Sequence, residues 1–188
     1  MQRFQKLQVF IALVAILAAM QTAAGAFTIK KDAVPAIVVP AGMRPFVAKA
    51  AEDVAGDIEK IFGARPKVVA ASPDAPSPAE NAIVLSKSGS GWENYAIKSV
   101  QGNVLRITGS DDRGVMFGLY RFASECLGVD PFYRWSGLEP ERRDSKTWDG
   151  ISIRQGDPSF KFRGWFVNDE DFLNGFRQIG RASCRERV

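Results

Sequence analysis

The stretch PAIVVPAGMRPFVAKAAEDVAGDIEKIFGARPKVVA, Pro35–Ala70, decides the fold. Its first six residues form a short apolar run fenced by Pro35 and Pro40, the pattern of a buried strand. Phe46, Ala50, Val54, Ile58 and Phe62 then recur four apart, with Val47 and Ile61 beside them. Four-residue spacing stacks side chains on one face of a helix. Lys60 suits the last turn of that helix, and Gly63 provides a stop. Pro66–Ala70 reads as a second strand. Strand, helix and strand in one short span predict a parallel βαβ crossover.

The pattern continues outward. Ala71–Asn81 is a loop rich in Pro, Ser and Ala, and Ala82–Lys87 is a third strand. In Tyr95–Ser110, two alternating runs flank Gln-Gly-Asn. Tyr95, Ile97 and Val100 lie on one arm and Val104 and Ile107 on the other, a β-hairpin. DDRGVMFGLYRFASECLGV, Asp111–Val129, reads as a second helix. Asp111 or Asp112 can cap it, Gly128 can end it, and Val115, Leu119, Phe122 and Cys126 form its buried stripe. The order β-α-β-β-β-α predicts an α+β fold, an α/β sandwich with a mixed β-sheet and its helices on one face.

Both ends of the chain are set apart from this domain. Residues 1–26 have the form of a signal peptide. Arg3 and Lys6 precede an apolar run from Val9 to Met20, and Ala24-Gly25-Ala26 fits a cleavage site before Phe27. An exported protein, periplasmic or extracellular, is expected, with the signal peptide as its contact with a membrane. At the other end, Ile179–Val188 reads IGRASCRERV. Written as ATC GGA AGA GCG TCG TGT AGG GAA AGA GTG, it resembles a sequencing adapter, so 179–188 is set aside as an artefact.

The charge balance changes accordingly. The whole chain carries 25 Lys and Arg against 21 Asp and Glu, but from Phe27 to Gln178 the balance is 20 against 20. The excess of positive charge lies in the two ends, so no nucleic-acid partner is expected. With Cys184 in the suspect tail, Cys126 is left without a disulfide partner and reads as a buried structural thiol. The chain has no histidine, which excludes Ser-His or Cys-His nucleophiles from these residues and disfavours a zinc site. No metal or cofactor is expected.

After Gly128 the character shifts. Phe132, Tyr133 and Trp135 form an aromatic cluster suited to packing between domains, or to stacking on sugars. Residues 136–158 are polar and turn-rich and read as a linker. Phe160, Phe162, Trp165, Phe166 and Val167 then suggest a strand buried on both faces, followed by Asn168, Asp169, Glu170 and Asp171. Acids at the C-terminal end of a strand are where β/α barrels place active sites. Sugar-cleaving enzymes need carboxyl groups there, one to protonate the leaving oxygen and one to activate water or attack. The same residues also suit a helix start, with Asn168 or Asp169 as the cap and acids in the first turn. Two other features read as structural: Arg113 as an anchor at the helix–strand junction, and Lys87–Trp92 (KSGSGW) as a flexible surface turn without the phosphate-loop pattern.

Two motifs carry a family resemblance. Gly109, Ser110, Asp111, Arg113, Gly114, Gly118 and Tyr120 match a G-S-D-x-R-G-x-x-x-G-x-Y helix start. Arg163, Gly164, Phe166, Asn168, Asp169 and Glu170 match the first barrel strand, Y-R-G-I-F-I-N-D-E, with Trp165 and Val167 as apolar replacements. Together they resemble glycoside hydrolase family 115, the xylan α-1,2-glucuronidases. The first motif also occurs in accessory domains of hexosaminidases and family 67 α-glucuronidases, and marks a fold rather than a substrate. Between the signal peptide at 1–26 and the linker at 136–158, the resemblance implies an N-terminal α/β accessory domain at 27–135, and after the linker the start of a truncated catalytic β/α barrel at 159–178. It implies a polysaccharide or oligosaccharide substrate of glucuronoxylan type, bearing (4-O-methyl)glucuronic acid. Asn168, Asp169 and Glu170 would line the sugar pocket, and the catalytic pair would lie on later strands. A secreted carbohydrate-binding module without catalysis, or a hexosaminidase-like or family 67 glycosidase, remains the alternative.

Overall fold

The computed structural model describes residues 25–72 and 80–164, excluding the side chains of residues 134 and 135. One compact unit runs to Asp157, and a second begins at Pro158. The strands of the first unit are β1 (Phe27–Lys30), β2 (Ala36–Pro40), β3 (Val68–Ala71), β4 (Ala82–Lys87), β5 (Tyr95–Val100), β6 (Val104–Gly109), β7 (Ser145–Trp148) and β8 (Ser152–Gln155). The helices are α1 (Pro45–Phe62), α2 (Asp112–Arg121) and the single turn α3 (Tyr133–Ser136). Among the described residues, no helix is long and apolar enough to cross a membrane.

The main sheet has the order β3-β2-β4-β6-β5-β8. β3, β2, β4 and β6 run parallel, while β5 is antiparallel to both β6 and β8. The expected βαβ unit and hairpin are therefore present, and the sheet is mixed. Strand alternation divides its residues between two faces. Ile37, Ile83, Leu105, Leu85, Ile107 and Ile97 are buried in one core with Val47, Val54 and Ile58 of α1 and Val115 and Leu119 of α2. Both helices thus share a single layer against one sheet face.

The helix ends follow from their sequences. Pro45 opens α1, and Gly63 closes it at φ 76°, its N–H donating to Glu59 O at 2.8 Å. A left-handed closing residue satisfies carbonyls that the helix leaves unpaired, and glycine adopts it without strain. After Arg121 the second helix widens into a π-helical stretch, Phe122–Leu127. Wider winding turns Phe122, Ala123, Cys126 and Leu127 inward together, and all four are buried.

Two parts differ from expectation. The expected linker, 136–158, contains β7 and β8. β8 extends the main sheet, while β7 pairs antiparallel with β1 from Phe27↔Trp148 to Lys30↔Ser145. Short strands rich in Ser, Lys, Thr and Arg lack a long apolar run, so polarity concealed them. Their few apolar residues suffice: Phe27 stacks on Trp148 at 5.9 Å and meets Phe122 edge-on at 6.3 Å. In the second unit, Phe160–Gly164, the described part of the expected barrel strand, is not in strand conformation. Phe160 and Phe162 are exposed there, and Arg163 Nη1 donates to Phe160 O at 2.6 Å. Residues 165–188 lie outside the described residues, and with them the rest of that strand.

Candidate functional site

Asn168, Asp169 and Glu170 lie outside the described residues, as does the Ile179–Val188 tail. Among the described residues, the motif that carries the family resemblance is the junction between β6 and α2. There the C-terminal ends of β4 and β6 meet the first turns of both helices.

The three motif glycines are required by close approach. A Cβ on Gly109 would stand 2.3 Å from Val115 N and 2.6 Å from Gly114 C. One on Gly114 would stand 2.3 Å from Asn94 O, and one on Gly118 would meet Ile107 Cγ2 at 2.6 Å. The strand, the helix and the β4–β5 loop thus touch backbone to backbone. Asp111 is the cap: its Oδ1 accepts from Gly114 N at 2.7 Å, and its Oδ2 accepts from Glu93 N at 3.1 Å. Asp112 instead pairs with Lys87 at 3.2 Å and accepts from Arg44 N at 3.3 Å, joining α1 to α2. Tyr120 donates its hydroxyl to Asp53 Oδ2 at 3.1 Å, a second tie between the helices.

Arg113 anchors the junction, as its position suggested. Its Nε lies 2.7 Å from Oε1 of buried Glu93, and its guanidinium sits 5.8 Å from the Phe117 ring. Glu93 has a left-handed backbone, φ 57°. Sequence reasoning missed this acid; an isolated glutamate between a glycine-rich turn and a strand was the available signal. The KSGSGW turn is also more fixed than its composition suggests. The Asp157 carboxylate accepts from Asn94 Nδ2 at 2.5 Å and from Trp92 N at 3.4 Å. A Cβ on Gly91 would collide with that carboxylate, and φ is +99° there. Asn103, in the hairpin turn, likewise does more than turn the chain. Its amide bonds both Thr28 N, at 2.6 Å, and Thr28 O, at 2.9 Å, fastening β1 to the main sheet.

The aromatic segment divides. Tyr133 packs against the core with Lys60 Nζ 4.8 Å from its ring centroid, and Lys60 also pairs with Glu139 at 2.9 Å. Phe132 is 48% exposed, and the Trp135 side chain lies outside the description. Among the described residues, no three His, Cys, Asp or Glu side chains converge as metal ligands.

Cys126 is a buried free thiol, as its helical position implied. Burial pushes its pKa up to about 11. Lys146 donates to Cys126 O at 2.6 Å, and burial lowers its own pKa. An exposed thiol ionises near roughly 8.5, where the unfolded chain releases its proton and the folded chain keeps it. Stability should therefore fall as pH rises through this window, by at most ~1.4 kcal/mol per pH unit. Thiol titration of residues 27–178 at pH 8 should give slow native reaction and rapid reaction in denaturant; equal rates would contradict the burial.

The described polar groups of the motif thus hold two helices and a loop at the C-terminal ends of β4 and β6. No protein-family model and no curated protein sequence matches this chain. Solved structures do. The fold is similar to part of a family GH115 4-O-methyl-α-glucuronidase with specificity for decorated arabinogalactans. The TM-score is 0.60 at 21% identity, over 77% of this chain and 20% of that one. It is also similar to part of a GH20 β-N-acetylhexosaminidase from Streptomyces coelicolor A3(2), with TM-score 0.51 and 16% identity, over 76% of this chain and 25% of that one. The chain spans a quarter or less of either structure. At these identities the likeness establishes the fold: an α/β sandwich also found within glycoside hydrolases.

Proposed function

We propose that this chain is the N-terminal accessory domain, with the start of the catalytic barrel, of an exported glycoside hydrolase. The parent enzyme removes α-1,2-linked (4-O-methyl)glucuronic acid from a glucuronoxylan-like polysaccharide. The observation that carries this reading is the fold likeness to the GH115 glucuronidase at TM-score 0.60. The G-S-D-x-R-G motif supports the accessory-domain part of this reading, since its glycines and Asp111 build the β6–α2 junction.

In this reading Asn168, Asp169 and Glu170 line the uronic-acid pocket. The catalytic acid and base stand on later barrel strands. Inversion would place them about 6.5–9.5 Å apart, one protonating the leaving oxygen while the other activates water on the opposite face. A single barrel strand supplies neither a closed barrel nor two opposed carboxylates. Residues 27–178 alone should release no 4-O-methylglucuronic acid from glucuronoxylan, whereas the gene product extended through the barrel should release it. Clear turnover by the short form, or activity of the long form on N-acetylhexosaminides instead, would overturn the assignment.

A further inference from the structure

The sheet face opposite the helices has a charge pattern the accessory role leaves unexplained. Across six strands one row reads Val69, Val38, Val84, Arg106, Lys98, Ser152. In the adjacent row Arg154 stands opposite Ala96, which stands opposite Thr108. Side-chain alternation puts all of these on the helix-free face. Arg106 and Arg154 are exposed and Lys98 is half-buried. Lys98 directly faces Arg106, and like charges directly opposite across strands destabilise a sheet. None of the six strands contains an Asp or Glu. Among the described residues, no carboxylate pairs with any of these three cations.

We propose that this face binds an acidic polysaccharide, with Lys98, Arg106 and Arg154 receiving uronic-acid carboxylates. The choice of a glycan as the polyanion rests on the function proposed above; the cation cluster itself does not. A protein partner fits less well. The buried core of a protein interface is more apolar than its rim and is depleted in charged residues. Here the cations occupy the face beside Val38 and Val84, which are already buried, and among the described residues of the face Val69 is the one large apolar side chain that is exposed. A solvated polyanion tolerates such a surface. Ser86 and Thr108, whose hydroxyls lie 2.8 Å apart on the same face, add hydroxyl partners of the kind sugars use.

The test uses the full chain and measures binding to glucuronoxylan, unsubstituted xylan and poly-glutamate by calorimetry. Glucuronoxylan should bind, less tightly as salt rises from roughly 0.05 to 0.5 M, because screening weakens exposed charge pairs. Unsubstituted xylan and poly-glutamate should bind at least tenfold more weakly. The triple variant Lys98→Gln, Arg106→Gln, Arg154→Gln should lose at least tenfold in affinity for glucuronoxylan. A second variant separates binding from folding: Lys98→Glu creates an opposite-charge pair with Arg106, so it should melt higher than the parent chain yet bind less. Unchanged affinity in either variant, lower melting of Lys98→Glu, or equal binding of unsubstituted xylan would overturn the proposal. Equal binding of poly-glutamate would assign the face to an acidic protein instead. If the extended enzyme releases glucuronic acid while this face binds no glycan, only this inference fails.

Discussion

Gly109→Ala should destabilise the domain by about 3 kcal/mol or more, a large share of the roughly 5–15 kcal/mol that holds a domain folded. Three backbone atoms crowd the place where its Cβ would stand: Val115 N at 2.3 Å, Gly114 C at 2.6 Å and Asp111 O at 2.8 Å. A flexible side chain could swing away, but these atoms belong to the first turn of α2. Relief would require moving the helix start away from the end of β6. That would strain the bonds from Asp111 to Gly114 N and Glu93 N at the same time. Gly156 is the control, with nothing within 4 Å of its hypothetical Cβ. Gly156→Ala should change stability by less than ~0.5 kcal/mol. Urea unfolding of both variants measures the difference; equal midpoints would show that the junction yields.

Phe122→Ala should cost about 3–5 kcal/mol, the range for removing a buried aromatic ring. Phe122 is fully buried and sits between Phe27 and Trp148, 6.3 Å from each ring. It stands where α2 widens into the π-helical stretch. Its loss would open a cavity facing both the helix layer and the two-stranded β1–β7 sheet. The N-terminal strand should become protease-sensitive well below the global midpoint. Phe122→Leu, which keeps most of the volume, should recover much of the loss. A variant as stable as the parent chain would mean that the aromatic cluster contributes little to the core.

How much of this was legible follows from the kind of signal each element carries. Phe46 to Phe62 repeats at helical spacing, and α1 spans those residues. The helix-facing side of the sheet was legible because Ile37 and Ile83 lie in short apolar runs, and Ile97 and Ile107 in alternating ones, between turn residues. Asp111 was one of two candidate caps, and local geometry chose it. β7 and β8 were hidden because long-range pairing, not local pattern, makes them strands: Thr147 is polar, yet its hydroxyl meets that of Thr28 at 2.9 Å. Glu93 and Asn103 were hidden for the same reason. Their partners, Arg113 and Thr28, are distant in sequence and become neighbours only in the fold. Asn168, Asp169 and Glu170, proposed to line a sugar pocket, rest on strand-end logic and family resemblance, and stand outside the described residues.

The most direct measurement is a long read of the source DNA across the codon for Gln178. The account predicts an open frame of several hundred further codons, with strand-ending acids at barrel spacing and no trace of IGRASCRERV. A stop codon directly after Gln178, or genomic DNA encoding Ile179–Val188 as written, would contradict it.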